Sequence, residues 1–170
     1  MLGCAGMLLL ASVTVAQDTK PTQMPAELSK QIDECLIGEW TYEVSWGDKK
    51  FTGEETTRWI GRKIGILIQG HLMASGKRTN YVMLQGWDGS AKAIVGRGFT
   101  SDGEASTGCW TDFSKDRWTG HGEGIYQGKR WESPSKLEFL KDSLRYEDTT
   151  HGKPWIAIYK RKPASAAKTK

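Results

Sequence analysis

With 170 residues the chain is long enough for one domain with a substantial core, and 20 glycines and 8 tryptophans against 5 prolines suit strands and turns, not long helices or disorder. The formal charge of +4 belongs to the C-terminus: Lys160, Arg161, Lys162, Lys168 and Lys170 supply five positive charges, and the rest of the chain holds 19 basic against 20 acidic side chains. A near-neutral body lacks the charged face of a nucleic-acid reader, so no nucleic-acid partner is expected.

Residues 2–16 carry no charge and end in small side chains before Gln17, the layout of a signal peptide (1–16) cleaved after Ala16. The run is shorter than the ~20 apolar residues of a membrane span. The expectation is a periplasmic or secreted protein with no stable membrane anchor once the signal is removed. In an oxidising compartment Cys35 and Cys109 could pair, or remain two separate thiols, and both alternatives stay open. Residues 17–24 read as a polar linker. Pro25 then opens a short amphipathic helix, with Leu28, Ile32, Cys35 and Leu36 on one side and Gly38 behind it, suited to plugging one end of a barrel.

From Trp40 the large apolar residues fall at every second position, Trp40, Tyr42, Val44 and Trp46, with polar residues between them, the period of a strand with one dry face. Strand patterns continue over 51–60, 63–73, 79–87, 91–100, 104–112 and 116–126. Between 129 and 140, Pro134 is expected to break or bulge the strand. The last two strands are expected at 144–149 and 154–161. Turn signals recur every 8 to 12 residues, and Asp88-Gly89 is the strongest two-residue hairpin signal among them. The spacing predicts an all-β domain (25–162) of about ten antiparallel strands. Closure into an up-and-down barrel is favoured because an open meander of this length would expose both edges. Residues 163–170 read as a solvated, disordered basic tail.

The sharpest polar cluster is Arg117-Trp118-Thr119-Gly120-His121-Gly122-Glu123-Gly124, where alternation puts His121 and Glu123 on one face and Trp118 with the glycines on the other. If His121 and Glu123 point inward, they form an acid/base pair or two metal ligands, with His71 or Asp112 as candidate third ligands. If the glycine face points inward, Gly120 and Gly122 leave room for a ligand beside Trp118; this reading is preferred. Arg97, between Gly96 and Gly98, shares a face with Val95 and Phe99 and could grip a ligand carboxylate, or instead turn outward. The tryptophans recur about once per strand and mostly serve the core, while some could line a pocket. The resulting candidate binding set is Trp87, Arg97, Phe99, Trp110, Trp118, Gly120 and Gly122, with His121 and Glu123 as the candidate catalytic pair. No nucleophile elbow, phosphate loop or zinc-hydrolase motif occurs, and no cofactor is expected.

The Gly38-x-Trp40 opening, the preceding helix, the consecutive antiparallel strands and the basic pair Lys160-Arg161 after the last strand resemble the lipocalins and the wider calycin superfamily. Gly86-Trp87-Asp88, Gly96-x-Gly98, Asp102-Gly103 and Gly152-x-Pro154-Trp155 resemble an uncharacterised branch of bacterial secreted lipocalin-like domains. The resemblance spans about residues 36–162. It implies a barrel end closed by Trp40 packing under the basic residue of the last strand, and an interior pocket for a small apolar molecule. Haem-binding nitrobindins have a glycine-rich opening where this chain has Thr41-Tyr42-Glu43-Val44, and the chain departs from them there. Three functions are thus weighed: a small-molecule binder, a metal-assisted or acid/base enzyme using His121 and Glu123, and a packed barrel acting as a structural or interaction protein.

Overall fold

Alternation at Trp40, Tyr42 and Val44 drives one face of the first strand into a dry interior, and the same period repeats nine more times along the chain. The computed structural model describes residues 23–149 and 152–163; the expected signal peptide, most of the linker and residues 164–170 lie outside them. Helix α1 (Ala26–Cys35) precedes strands β1 (Gly38–Trp46), β2 (Lys49–Ile60), β3 (Gly65–Ala74), β4 (Lys77–Asp88) and β5 (Ala93–Thr100). Strands β6 (Ala105–Phe113), β7 (Arg117–Tyr126), β8 (Lys129–Phe139), β9 (Ser143–Asp148) and β10 (Trp155–Arg161) complete the chain.

Each strand pairs antiparallel with the next, and β10 returns to pair with β1 from Trp40↔Arg161 to Trp46↔Trp155, closing an up-and-down barrel. Closure removes the edges that an open meander would expose. Two-residue turns at Ser75-Gly76 and Gln127-Gly128 keep the hairpins tight: all four residues have positive φ, the pairing of a type I′ turn.

Two expectations are corrected. The Asp88-Gly89 connection is a four-residue loop, because the Asp88 carboxylate accepts the N–H groups of Ser90 and Ala91 and holds the chain in a wider turn before Ala93 pairs with Asp88. Pro134 does not break its strand. Pro134 pairs with His121 of β7, but the ladder from β8 to β9 begins only at Lys136, so β9 asks for no donor beside the proline.

The helix plugs one end. Leu28 and Ile32, the latter wholly buried, pack onto Trp40, Ile66, Ile94, Trp118, Leu137 and Leu144, and Met24 of the expected linker packs beside them. Gln31 ties the plug to the β6–β7 turn, donating to the Ser114 and Lys115 carbonyls and accepting from Trp118 Nε1. Arg161 finishes the seal. Its guanidinium stacks 4.4 Å over the Trp40 ring and donates to the Ile37 and Glu34 carbonyls at the end of α1.

Candidate functional site

The interior divides along the barrel axis. Nearest the helix it is aromatic: Trp118 is wholly buried and meets Phe113, Phe139 and Trp110 edge-on, with Trp87 against Phe113. Midway along the barrel the inward side chains become polar. Tyr42 and Tyr159 are register partners with ring centroids 4.9 Å apart, Tyr81 donates to Glu55 Oε2 at 2.7 Å, and Tyr146 donates to Asp148 at 2.9 Å.

Glycines create the places these rings occupy. Tyr42 faces Gly53, Tyr81 faces Gly70 and Trp131 faces Gly124 across neighbouring strands. A Cβ on Gly70 would lie 2.6 Å from the Tyr81 hydroxyl, and one on Gly124 would lie 2.7 Å from the Trp131 ring. Each missing side chain lets an aromatic ring lie down on the sheet, which places the Tyr81 hydroxyl on Glu55.

Burial sets the electrostatics of this middle layer. It raises the Glu55 carboxyl to about 7 against the pull of hydrogen bonds from Tyr81 and Thr57, and it raises the hydroxyls of Tyr42, Tyr81, Tyr146 and Tyr159 above the usual phenol range. Yet Glu55, Tyr81, Met83, Gln85, Tyr146 and Tyr159 all keep part of their surface accessible although they point inward. Together they line the mid-barrel interior. Physically this is expected: eight strands already enclose a space that side chains fill or that holds one small ligand, and interior width grows with strand number.

Of the sequence-derived binding set, Trp87 and Trp110 face the interior. Trp118 faces inward too, but under the helix and hydrogen-bonded to Gln31, with no open space beside it. Gly120 and Gly122 also face inward. The room they leave is used by the protein: a Cβ on Gly120 would overlap the Cys109 carbonyl, and the Trp131 ring lies within 3.4 Å of where a Gly122 Cβ would be. Arg97 and Phe99 are corrected. Both stand exposed on the outer face, Arg97 lying 5.2 Å from the Phe99 ring, because inward Gly96 and Gly98 fix the alternation the other way. Sequence reasoning missed Glu55 and the tyrosines: alternation sets Glu55 on the face of β2 opposite Thr52, Glu54 and Thr56, and the structure turns that face inward.

His121 and Glu123 lie on the outer face of β7. Arg130 donates to Glu123 at 2.6 Å and holds its carboxyl below the usual range. His121 instead meets its register partner Cys109, with Nδ1 3.3 Å from Sγ. Cys35 and Cys109 are both free thiols, the first at the end of α1 and the second on the outer wall. The Cys109–His121 pair lines an open outer groove of about 690 Å³ whose other walls include Ile64, Leu84, Val95 and Arg97. Ile64 is 76% exposed there, because the turn with Lys63 at φ 62 swings it out. Among the described residues no group of three or more His, Cys, Asp or Glu side chains could hold a metal ion, so neither His71 nor Asp112 completes a site with His121 and Glu123.

The strand order and the packed helix define a closed ten-strand antiparallel β-barrel with one helix-sealed end. No protein-family model matches the chain, and no curated protein does. Among solved structures it is similar to a de novo designed fluorescence-activating β-barrel, at 14% identity over 78% of this chain and 98% of that one, with a TM-score of 0.44. It is also similar to a redesigned β-barrel, mFAP1, bound to DFHBI, at 16% identity over 77% of this chain and 99% of that one, with a TM-score of 0.41.

Proposed function

We propose that the protein is an exported, lipocalin-like binding barrel that holds a small, largely apolar molecule in its lumen. One observation carries the reading: mid-barrel side chains that point inward keep part of their surface accessible, above an aromatic floor sealed by α1. Ligand sites combine such apolar walls with a few fixed polar groups, here Glu55 and its tyrosines. Trp110, Met83 and Gln85 also face the interior and would contact the ligand body.

Two measurements test it. Native and denaturing mass spectra of protein purified from an exporting host should differ by a small organic adduct lost on denaturation, and the mature mass should place cleavage after Ala16. Separately, the neutral fluorophore N-phenyl-1-naphthylamine should bind the parent and fail to bind Met83→Trp, which puts a bulky indole into the barrel interior beside Gly98. Equal binding to both proteins, with no adduct in either spectrum, would leave a packed barrel.

A second reading rests on the Cys109–His121 pair in the outer groove, an arrangement in which the imidazole can take the thiol proton and leave a nucleophile. It predicts that iodoacetamide alkylates Cys109 several-fold faster in the parent than in His121→Ala. Equal rates would remove it.

A further inference from the structure

We propose that the ligand of this lumen is an organic cation, a tertiary or quaternary ammonium on an apolar body, seated among the rings of Tyr42, Tyr81 and Tyr159 with Glu55 as its counter-ion. The inference rests on the binding-barrel reading above and names its ligand class.

Three features of the middle layer converge on this chemistry. First, Glu55 makes no ion pair among the described residues; its partners are the Tyr81 hydroxyl at 2.7 Å and the Thr57 hydroxyl at 3.4 Å. Lys49 and Lys153, at the barrel end away from the helix, sit over the Trp46 ring at 5.5 and 5.8 Å. An enclosed carboxyl group without a cation of its own is destabilising when charged, and a cation brought in from outside relieves that cost. Second, aromatic rings surround it. Tyr42 and Tyr159 meet at 4.9 Å, Tyr81 lies on Gly70 beside Glu55, and the faces of such rings attract ammonium groups. The protein already seats its own cations this way, with Arg161 over Trp40 and Lys63 over Trp59. Third, no hydrogen bond engages the Tyr159 hydroxyl among the described residues, although the ring faces the interior and packs against Tyr42. That hydroxyl is available to a ligand.

A metal ion does not suit the same place. Calcium takes six to eight oxygen ligands, and no group of three or more metal-binding side chains assembles among the described residues. A bulky ammonium asks for ring faces and one carboxylate, which is what the layer offers.

The test compares two probes of equal shape, trimethylphenylammonium and the neutral tert-butylbenzene, by isothermal titration calorimetry on the unaltered mature protein at pH 7.5. The expected result is at least tenfold tighter binding of the cation. In Glu55→Gln, with its fold checked by near-ultraviolet circular dichroism, the cation should lose at least tenfold while the neutral probe is unchanged. Equal or tighter binding of tert-butylbenzene to the parent overturns the cation assignment and leaves the binding-barrel reading standing. A tenfold preference unaltered by Glu55→Gln overturns the assignment of Glu55. Binding of neither probe overturns the assignment and counts against the barrel reading as well.

Discussion

Glu55 is a carboxyl group that folding disfavours when charged, and the sign of its effect on stability follows from that. Its folded pKa of about 7 lies above the ordinary 4.5, so the unfolded chain ionises first as pH rises. Stability is therefore lost between those two values and stays low above them. Glu55→Gln should remove the loss, making the variant more stable than the parent by about 3 kcal/mol at pH 8 and nearly equal to it at pH 4. Urea unfolding at the two pH values reads this directly; parallel stability curves for parent and variant would contradict it. Gly124 offers a second test, of packing. An Ala there meets Trp131 at 2.7 Å with sheet on either side, so Gly124→Ala should cost about 1–3 kcal/mol in thermal or urea unfolding through overpacking. Thr111→Ala on the exposed outer wall should move stability by less than about 0.5 kcal/mol.

The plug helix is held by apolar burial and by a few directed hydrogen bonds, and the two contributions separate by mutation. Ile32 is wholly buried among residues of several strands, so Ile32→Ala should cost about 2–5 kcal/mol and loosen that barrel end. Gln31→Ala removes the acceptor of Trp118 Nε1 from a fully buried indole, a loss of about 1–3 kcal/mol, the penalty of leaving a buried donor unmatched. Tryptophan emission checks the assignment: Gln31→Ala should alter it more than Ile125→Ala, which removes an exposed side chain from the same strand as Trp118. Cys35, whose thiol is pushed up by burial at the end of α1, should react more slowly with thiol reagents than Cys109 on the outer wall.

Closure makes the barrel one cooperative unit, since every strand has two neighbours and no edge strand is free to fray. Amide hydrogens of β1 and β10 should consequently exchange at the global unfolding rate, although these strands lie at opposite ends of the sequence. Exchange of β10 well before β5 would show that closure is weaker than the ladder from Trp40↔Arg161 to Trp46↔Trp155 implies.

How much of this was legible in advance differs by feature, for a physical reason in each case. Alternation at Trp40–Trp46 and the turn residues between strands are local properties, so strand positions, the plug helix and the all-β barrel could be read along the chain. The Trp40–Arg161 stack was available only through resemblance, because its partners are far apart in sequence. Alternation put His121 and Glu123 on one face opposite the glycines and left two orientations open, with the outward one preferred; the Cys109–His121 contact depended on the register between β6 and β7, which no single strand records. The same holds for the barrel interior. Gly120 and Gly122 suggest open space when β7 is considered alone, yet Trp131 reaches across from β8 over Gly122 and the β6 backbone at Cys109 crowds Gly120. Glu55 looks like one more strand acid beside Glu54; only closure of the sheet encloses the first and leaves the second at the surface, bonded to Lys162. Periodicity thus determined which residues share a face, and tertiary closure decided which face is inside, because the solvent seen by a side chain depends on strands that are distant in sequence.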